Sequence, residues 1–138
     1  MSKIKFDSDS MKLMALFESM TGAKLKDCIA ESDRYIFVVE ENEMGKAIGK
    51  NGINVKKMEH NLKKKIRLVE FSSNLIQFAR NAIYPVESSD IKEENGILMI
   101  HGKDTNTKAM LIGREKQNLN HLSSLVKRYF DIKDIKII

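Results

Sequence analysis

The chain of 138 residues has no tryptophan, one proline and one cysteine. The lone Cys28 excludes an internal disulfide. With only three scattered histidines, His60, His101 and His121, beside it, no metal-ligand spacing is present. Long apolar runs are missing too: the longest stretches, such as Tyr35-Ile36-Phe37-Val38-Val39, fall far short of a membrane span. Met1 to Asp7 lacks the apolar region of a signal peptide, so a cytoplasmic location without a membrane partner is the expectation. None of the histidines sits in a carboxylate-supported constellation, and Asp104 reads as a helix cap rather than a general base. The expectation is therefore a protein with no catalytic residues, no metal and no organic cofactor.

What is present is a folded composition, 42% apolar and 31% charged, in a length that suits one ordinary domain or two very small ones. The net charge of +5 matters less than its distribution. Between Met44 and Arg67 stand eight basic residues, Lys46, Lys50, Lys56, Lys57, Lys63, Lys64, Lys65 and Arg67, opposed only by Glu59. The run Lys63-Lys64-Lys65 reads equally well as a solvated turn.

The chain also repeats itself. Ile48-Gly49-Lys50 recurs as Ile112-Gly113-Arg114 sixty-four residues on, and the same shift superposes Asn54-Val55 on Asn118-Leu119 and Met58 on Leu122. Two halves follow, 1–71 and 72–138. In the first, Asp7-Ser8-Asp9-Ser10 offers helix caps. Leu13, Leu16, Phe17 and Met20 recur with helical period, and Gly22 ends the helix. Lys24 to Ile29 reads as an edge strand and Tyr35 to Val39 as a more buried one. A short helix is expected over Met44 to Ile48 and a second over Ile53 to Leu62, with Val55, Met58 and Leu62 facing inward; Arg67 to Val69 forms a last strand. The second half gives the same order: caps at Ser72-Ser73-Asn74, a stripe of Leu75, Ile76, Ala79 and Ile83 ending before Pro85, and strands over Val86 to Ile91 and Ile97 to Ile100. A cap at Asp104 or Thr105, a short helix to Ile112, a long helix marked by Leu119, Leu122, Leu125, Val126 and Phe130, and a strand over Ile132 to Ile138 complete it. The expected fold class is α/β in the α+β sense, each half a three-stranded sheet with helices packed on one face.

Gly49-Lys50-Asn51-Gly52 joins two short helices, and its glycines let a nucleic-acid backbone approach the main chain. The following helix directs its unpaired amides and positive dipole end to the same place, and Lys50 adds charge, with Lys46, Lys56 and Lys57 nearby. Such a loop can hold phosphates while the bases lie in a groove beside it. It is neither a P-loop nor a dinucleotide fingerprint, because the glycine spacings and the required lysine-serine/threonine pair are absent. The counterpart Gly113-Arg114-Glu115-Lys116 keeps the first glycine and loses the second; Glu115 would repel a phosphate, and Lys116 puts a Cβ where close approach is wanted.

These residues resemble the type II KH fold. The Gly49 to Gly52 loop looks like its GXXG element, preceded by the usual isoleucine, and Thr21-Gly22-Ala23-Lys24-Leu25-Lys26-Asp27-Cys28 is also similar to the family. The tandem arrangement, over essentially the whole chain, resembles the KH pair of the NusA family in its short archaeal form. The resemblance implies a binder of single-stranded transcript RNA that takes part in transcription termination or its regulation, with the transcription machinery as a further partner. The implied RNA-binding residues are Lys46, Ile48, Gly49, Lys50, Asn51, Gly52, Asn54, Lys56 and Lys57 in the first half and Gly113, Arg114 and Lys116 in the second. A ribosome-associated or RNA-maturation protein of the same fold is the alternative reading. A protein-interaction module and a single-stranded DNA binder are the others.

Overall fold

The computed structural model describes residues 8–138. These fall into two compact units that divide between Ser72 and Ser73.

In the first unit, α1 (Ser8–Thr21) leads to β1 (Leu25–Ala30) and β2 (Arg34–Val39); α2 (Met44–Ile48), a turn of 3-10 helix over Lys50–Gly52, α3 (Ile53–Leu62) and β3 (Lys65–Glu70) follow. Gly22 ends α1 at φ +75°, where its amide donates to Glu18 O. The sheet order is β1-β2-β3, with β1 and β2 antiparallel and β2 and β3 parallel. A parallel pair needs a crossover, and the α2–turn–α3 segment supplies it. The loop of interest therefore lies within the connection that the sheet topology demands.

The helices bury one stripe each against the sheet. Phe17 of α1, Ala47 of α2 and Met58 of α3 meet Cys28, Phe37 and Val39 in one core. Phe17 and Phe37 stack with centroids 4.6 Å apart. The expected inner stripe of α1 is corrected at one position: Leu16 is exposed, and Met14 packs on the core beside Leu13 and Met20. Fixing Phe17 inward places Met14 one turn earlier on the same side and rotates Leu16 away. The cap proposed at Asp7 lies outside the described residues. β3 is longer than the apolar triplet suggested, because pairing with β2 carries it back to Lys65 opposite Arg34.

The second unit repeats the design. It runs α4 (Leu75–Ile83), β4 (Ser88–Glu94), β5 (Ile97–Gly102), α5 (Thr105–Ile112), a 3-10 turn over Arg114–Lys116, α6 (Gln117–Tyr129) and β6 (Asp134–Ile137). Its sheet order is β4-β5-β6, again antiparallel then parallel. Asn74 caps α4 by accepting from Gln77 N, and Asp104 caps α5 by accepting from Thr107 N. Phe78, missing from the expected α4 stripe, is fully buried and meets Tyr129 edge-on at 5.5 Å. β4 begins at Ser88, not Val86, and β6 at Asp134, not Ile132; Phe130 caps α6 in extended conformation instead of continuing it. Asn95 and Gly96, at φ +53° and +83°, make the β4–β5 hairpin turn, as Asn-Gly favours.

Both sheets carry a bulge in their first strand. The register slips between Leu25 and Asp27 and again between Ser88 and Asp90. In each, the aspartate accepts from the next backbone amide: Asp27 from Cys28 N at 2.8 Å and Asp90 from Ile91 N at 2.9 Å. Among the described residues, no helix is long and apolar enough to cross a membrane.

Candidate nucleic-acid interface

The two glycine loops have the same backbone. Gly49 sits at φ 74°, ψ 174° and Gly113 at φ 73°, ψ 173°. Asn51 (φ 57°, ψ 27°) matches Glu115 (φ 54°, ψ 32°), and Gly52 (φ 72°, ψ 19°) matches Lys116 (φ 61°, ψ 21°). The loss of the second glycine has thus not changed the loop. Lys116 holds the left-handed conformation that Gly52 adopts freely, a strain of order 1–2 kcal/mol for a residue with a Cβ.

The first glycine has a different reason. A Cβ on Gly49 would lie 2.7 Å from Asn54 Nδ2 and 2.8 Å from its Cγ; on Gly113 it would lie 2.6 Å from Asn118 Cγ. Each asparagine folds back over its glycine and donates from Nδ2 to the chain before the loop: Asn54 to Lys46 O at 2.9 Å, and Asn118 to Met110 O at 2.7 Å. The pair clamps the two helices across the turn. Asn54, expected among the RNA-binding residues, has its amide committed to this clamp. At Gly52, by contrast, an added Cβ would meet nothing within 4 Å, which leaves the second half of the loop open to an incoming molecule.

The helix starts sharpen the comparison. α4 and α5 are capped by side chains, whereas α3 and α6 have no side-chain cap and no acid in their first turn. The 3-10 turn takes the first amide of each, Ile53 N donating to Lys50 O and Gln117 N to Arg114 O; beyond it, the positive dipole end of an uncapped helix favours an anion.

The charges around the two loops differ. At the first, Lys50, Lys56 and Lys57 are exposed, and among the described residues none is ion-paired. Lys46 lies 3.5 Å from Glu43 and is partly neutralised. The Glu43 carboxyl is held below the usual carboxylate range, first by the Lys24 amide it accepts from at 2.9 Å and then by Lys46. Ile48 and Ile53 flank the loop with exposed apolar surface. At the second loop, Arg114 and Lys116 bracket Glu115, exposed Met110 occupies the place of Lys46, and Asn120 and His121 replace Lys56 and Lys57.

The lysine run is not a uniform patch. Lys63 ends α3 at φ +55°, and Lys64 is drawn back, donating to Glu31 O and lying 4.5 Å above the Tyr35 ring. Arg67 is half-buried on β3; desolvation, with Arg34 nearby, lowers its pKa.

A helix-strand-strand-helix-loop-helix-strand unit with a glycine loop at its parallel crossover defines a KH-domain protein, and a KH domain profile matches residues 13–77. The chain is 32% identical over 99% of its length to "Probable transcription termination protein NusA" of Methanococcus vannielii, of which it covers 80%. It is 32% identical to the protein of that name from Halococcus morrhuae, with 98% of this chain and 99% of the relative aligned. A crystal structure of the protein designated APE1850 superposes with a TM-score of 0.78 at 27% identity, covering 96% of this chain and all of that one. The chain belongs to the archaeal NusA-like family of KH proteins.

Proposed function

We propose that this protein binds single-stranded transcript RNA through two KH domains, 1–71 and 72–138, and acts in transcription termination or its regulation. The observation that carries the reading is the Gly49 to Gly52 turn. Its second half is sterically open, it leads into a helix without a side-chain cap, and Lys50, Lys56 and Lys57, which have no ion-pair partner among the described residues, stand near it. A KH loop of this kind clamps the sugar-phosphate backbone of about four nucleotides and leaves the bases to be read beside it. Gly49, Lys50, Asn51 and Gly52 make the principal grip; Lys46, Lys56 and Lys57 supply field, and Ile48 an apolar edge. Gly113, Arg114 and Lys116 form a second, weaker grip, because Glu115 stands in the position of Asn51. The name that the relatives bear supports the transcriptional setting over ribosome assembly or RNA maturation.

The test compares Lys50→Asp/Asn51→Asp with Arg114→Asp on one short RNA at fixed salt, after circular dichroism shows both variants folded. The first-loop double variant loses more affinity. Normal binding by the folded first-loop variant, to every RNA tried, overturns the assignment of the main site. Copurification with polymerase rather than with ribosomal subunits checks the setting.

A further inference from the structure

The outer face of α3 carries a second feature, a groove that continues from the loop. Ile53, Lys56, Lys57, His60 and Asn61 recur at helical spacing, opposite the inward-facing Val55, Met58 and Leu62. With Met20 from the end of α1 they line an open groove of about 440 Å³. Its apolar surface comes from Ile53, 46% exposed, and from Met20, whose sulfur accepts from the Asn61 amide at 3.8 Å. Lys56, Lys57 and His60 are all exposed along it. No acid lines the groove, since the nearby Glu59 accepts from Ile66 N. Three features make this more than a solvated helix face: apolar surface beside cations, lysines that have no ion-pair partner among the described residues, and direct continuity with the loop, because Ile53 follows Gly52.

The second unit sets a control. The equivalent face of α6 carries Gln117, Asn120, His121, Ser124 and Leu125, with no lysine or arginine. The backbone repeats, and the cationic tract does not. It is therefore a property added to the first unit and not a requirement of the fold.

We infer that this α3–α1 groove is an extension of the RNA site, taking the single strand as it leaves the Gly49 to Gly52 turn along α3. The proposal rests on the loop's binding RNA. Phosphates of the departing strand lie along Lys56, Lys57 and His60 while a base rests on Ile53 and Met20, the combination of a cationic track with an apolar platform that suits single strands. From Ile53 to His60 the helix rises about 10 Å, enough to follow the strand beyond the nucleotides that the loop clamps. An acidic peptide would fit the charge, but it would have no reason to begin at the loop.

The experiment uses the full chain and two labelled oligouridylates, one of about four nucleotides and one about three times longer. Lys56→Gln/Lys57→Gln, which also removes part of the field at the loop, is expected to weaken both RNAs but the long one by the larger factor, losing most of the affinity that the added nucleotides confer, and to flatten the salt dependence on the long RNA by about 1.4 units of log-log slope. Ile53→Ser loses part of the same length-dependent gain without changing the slope. Equal loss on both RNAs would return the lysines to the loop site and overturn the extension, as would no loss on either. Lys50→Asp/Asn51→Asp separates the two failures. If it binds both RNAs normally, the loop reading itself falls; if it loses both while Lys56→Gln/Lys57→Gln loses neither, only the extension falls.

Discussion

The Asn54 carboxamide lies directly over Gly49, so close that a Cβ there would stand 2.7 Å from Asn54 Nδ2, and that nitrogen donates to Lys46 O at 2.9 Å. The glycine and the asparagine form one device, repeated by Gly113 and Asn118. The first loop glycine is thus required by the protein's own clamp, and the second is favoured, though not required, by its left-handed backbone. Neither effect depends on a bound ligand.

This coupling is measurable. Gly49→Ala suffers twice, from the Asn54 contact and from a φ, ψ region open essentially to glycine alone, and should cost about 1–3 kcal/mol or more. Asn54→Ala removes one hydrogen bond, about 1 kcal/mol. In the Asn54→Ala background the Gly49→Ala penalty should shrink, because only the backbone part and a milder contact with Ile53 Cγ2 at 3.2 Å remain. Urea unfolding of the four proteins gives the coupling energy. Additive penalties would show that the clamp and the glycine are independent.

Lys116 offers the opposite experiment. Its φ of +61° strains a residue with a Cβ, and its side chain is exposed, so little packing is lost by removing it. Lys116→Gly should stabilise the chain by up to about 1 kcal/mol, the left-handed strain less the greater unfolded-state freedom of glycine. Gly52→Ala should destabilise it by a comparable amount while remaining folded, since its Cβ points into open space. A drop in the thermal midpoint of Lys116→Gly would contradict the backbone account.

The elements around the loop were legible because their signals are local. Gly49 and Gly52 punctuate two apolar-periodic segments, and α2 and α3 fall where those segments predict. The clamp was not legible. Asn54 next to a glycine-rich turn looks like a polar contact residue, and only the folded backbone shows its amide turned back to Lys46 O. Leu16 misled for a related reason: four apolar residues at roughly helical spacing permit two rotations of α1, and the Phe17–Phe37 stack selects one. The strand ends at Lys65 and Ser88 are set by pairing partners distant in sequence, which local composition does not encode. The α3–α1 groove was half visible, as a lysine excess, but its apolar surface needs Met20, thirty-three residues before Ile53.

Glu43 gives a pH dependence of definite sign. Its carboxylate is stabilised in the fold by the Lys24 amide and by Lys46, so its folded pKa lies below its unfolded one. A depressed carboxyl contributes stability that is present above the unfolded pKa and is lost as pH falls through the folded pKa. Wild type should therefore exceed Glu43→Gln in urea midpoint at neutral pH, and the gap should close progressively below the usual carboxylate range. A gap that is constant with pH would show that the difference comes from packing rather than ionisation.

The second loop can be tested by repair. Glu115 occupies the backbone position of Asn51, at φ 54° against 57°, between Arg114 and Lys116. Asparagine tolerates the left-handed region better than glutamate does, so Glu115→Asn should leave the fold intact and relieve a little strain. It also removes a negative charge from the approach of a phosphate. At about 4 Å in water that repulsion is worth up to about 1 kcal/mol, or about fivefold in affinity, and less at higher salt. The gain should appear in the parent chain, and more clearly in a background where Lys50→Asp/Asn51→Asp has silenced the first loop. Adding Arg114→Asp should abolish it, since that change restores an acid at the same turn. If Glu115→Asn binds RNA no more tightly in either background, the acid is not what weakens the second loop, and the absence of cations at Met110, Asn120 and His121 takes its place as the cause.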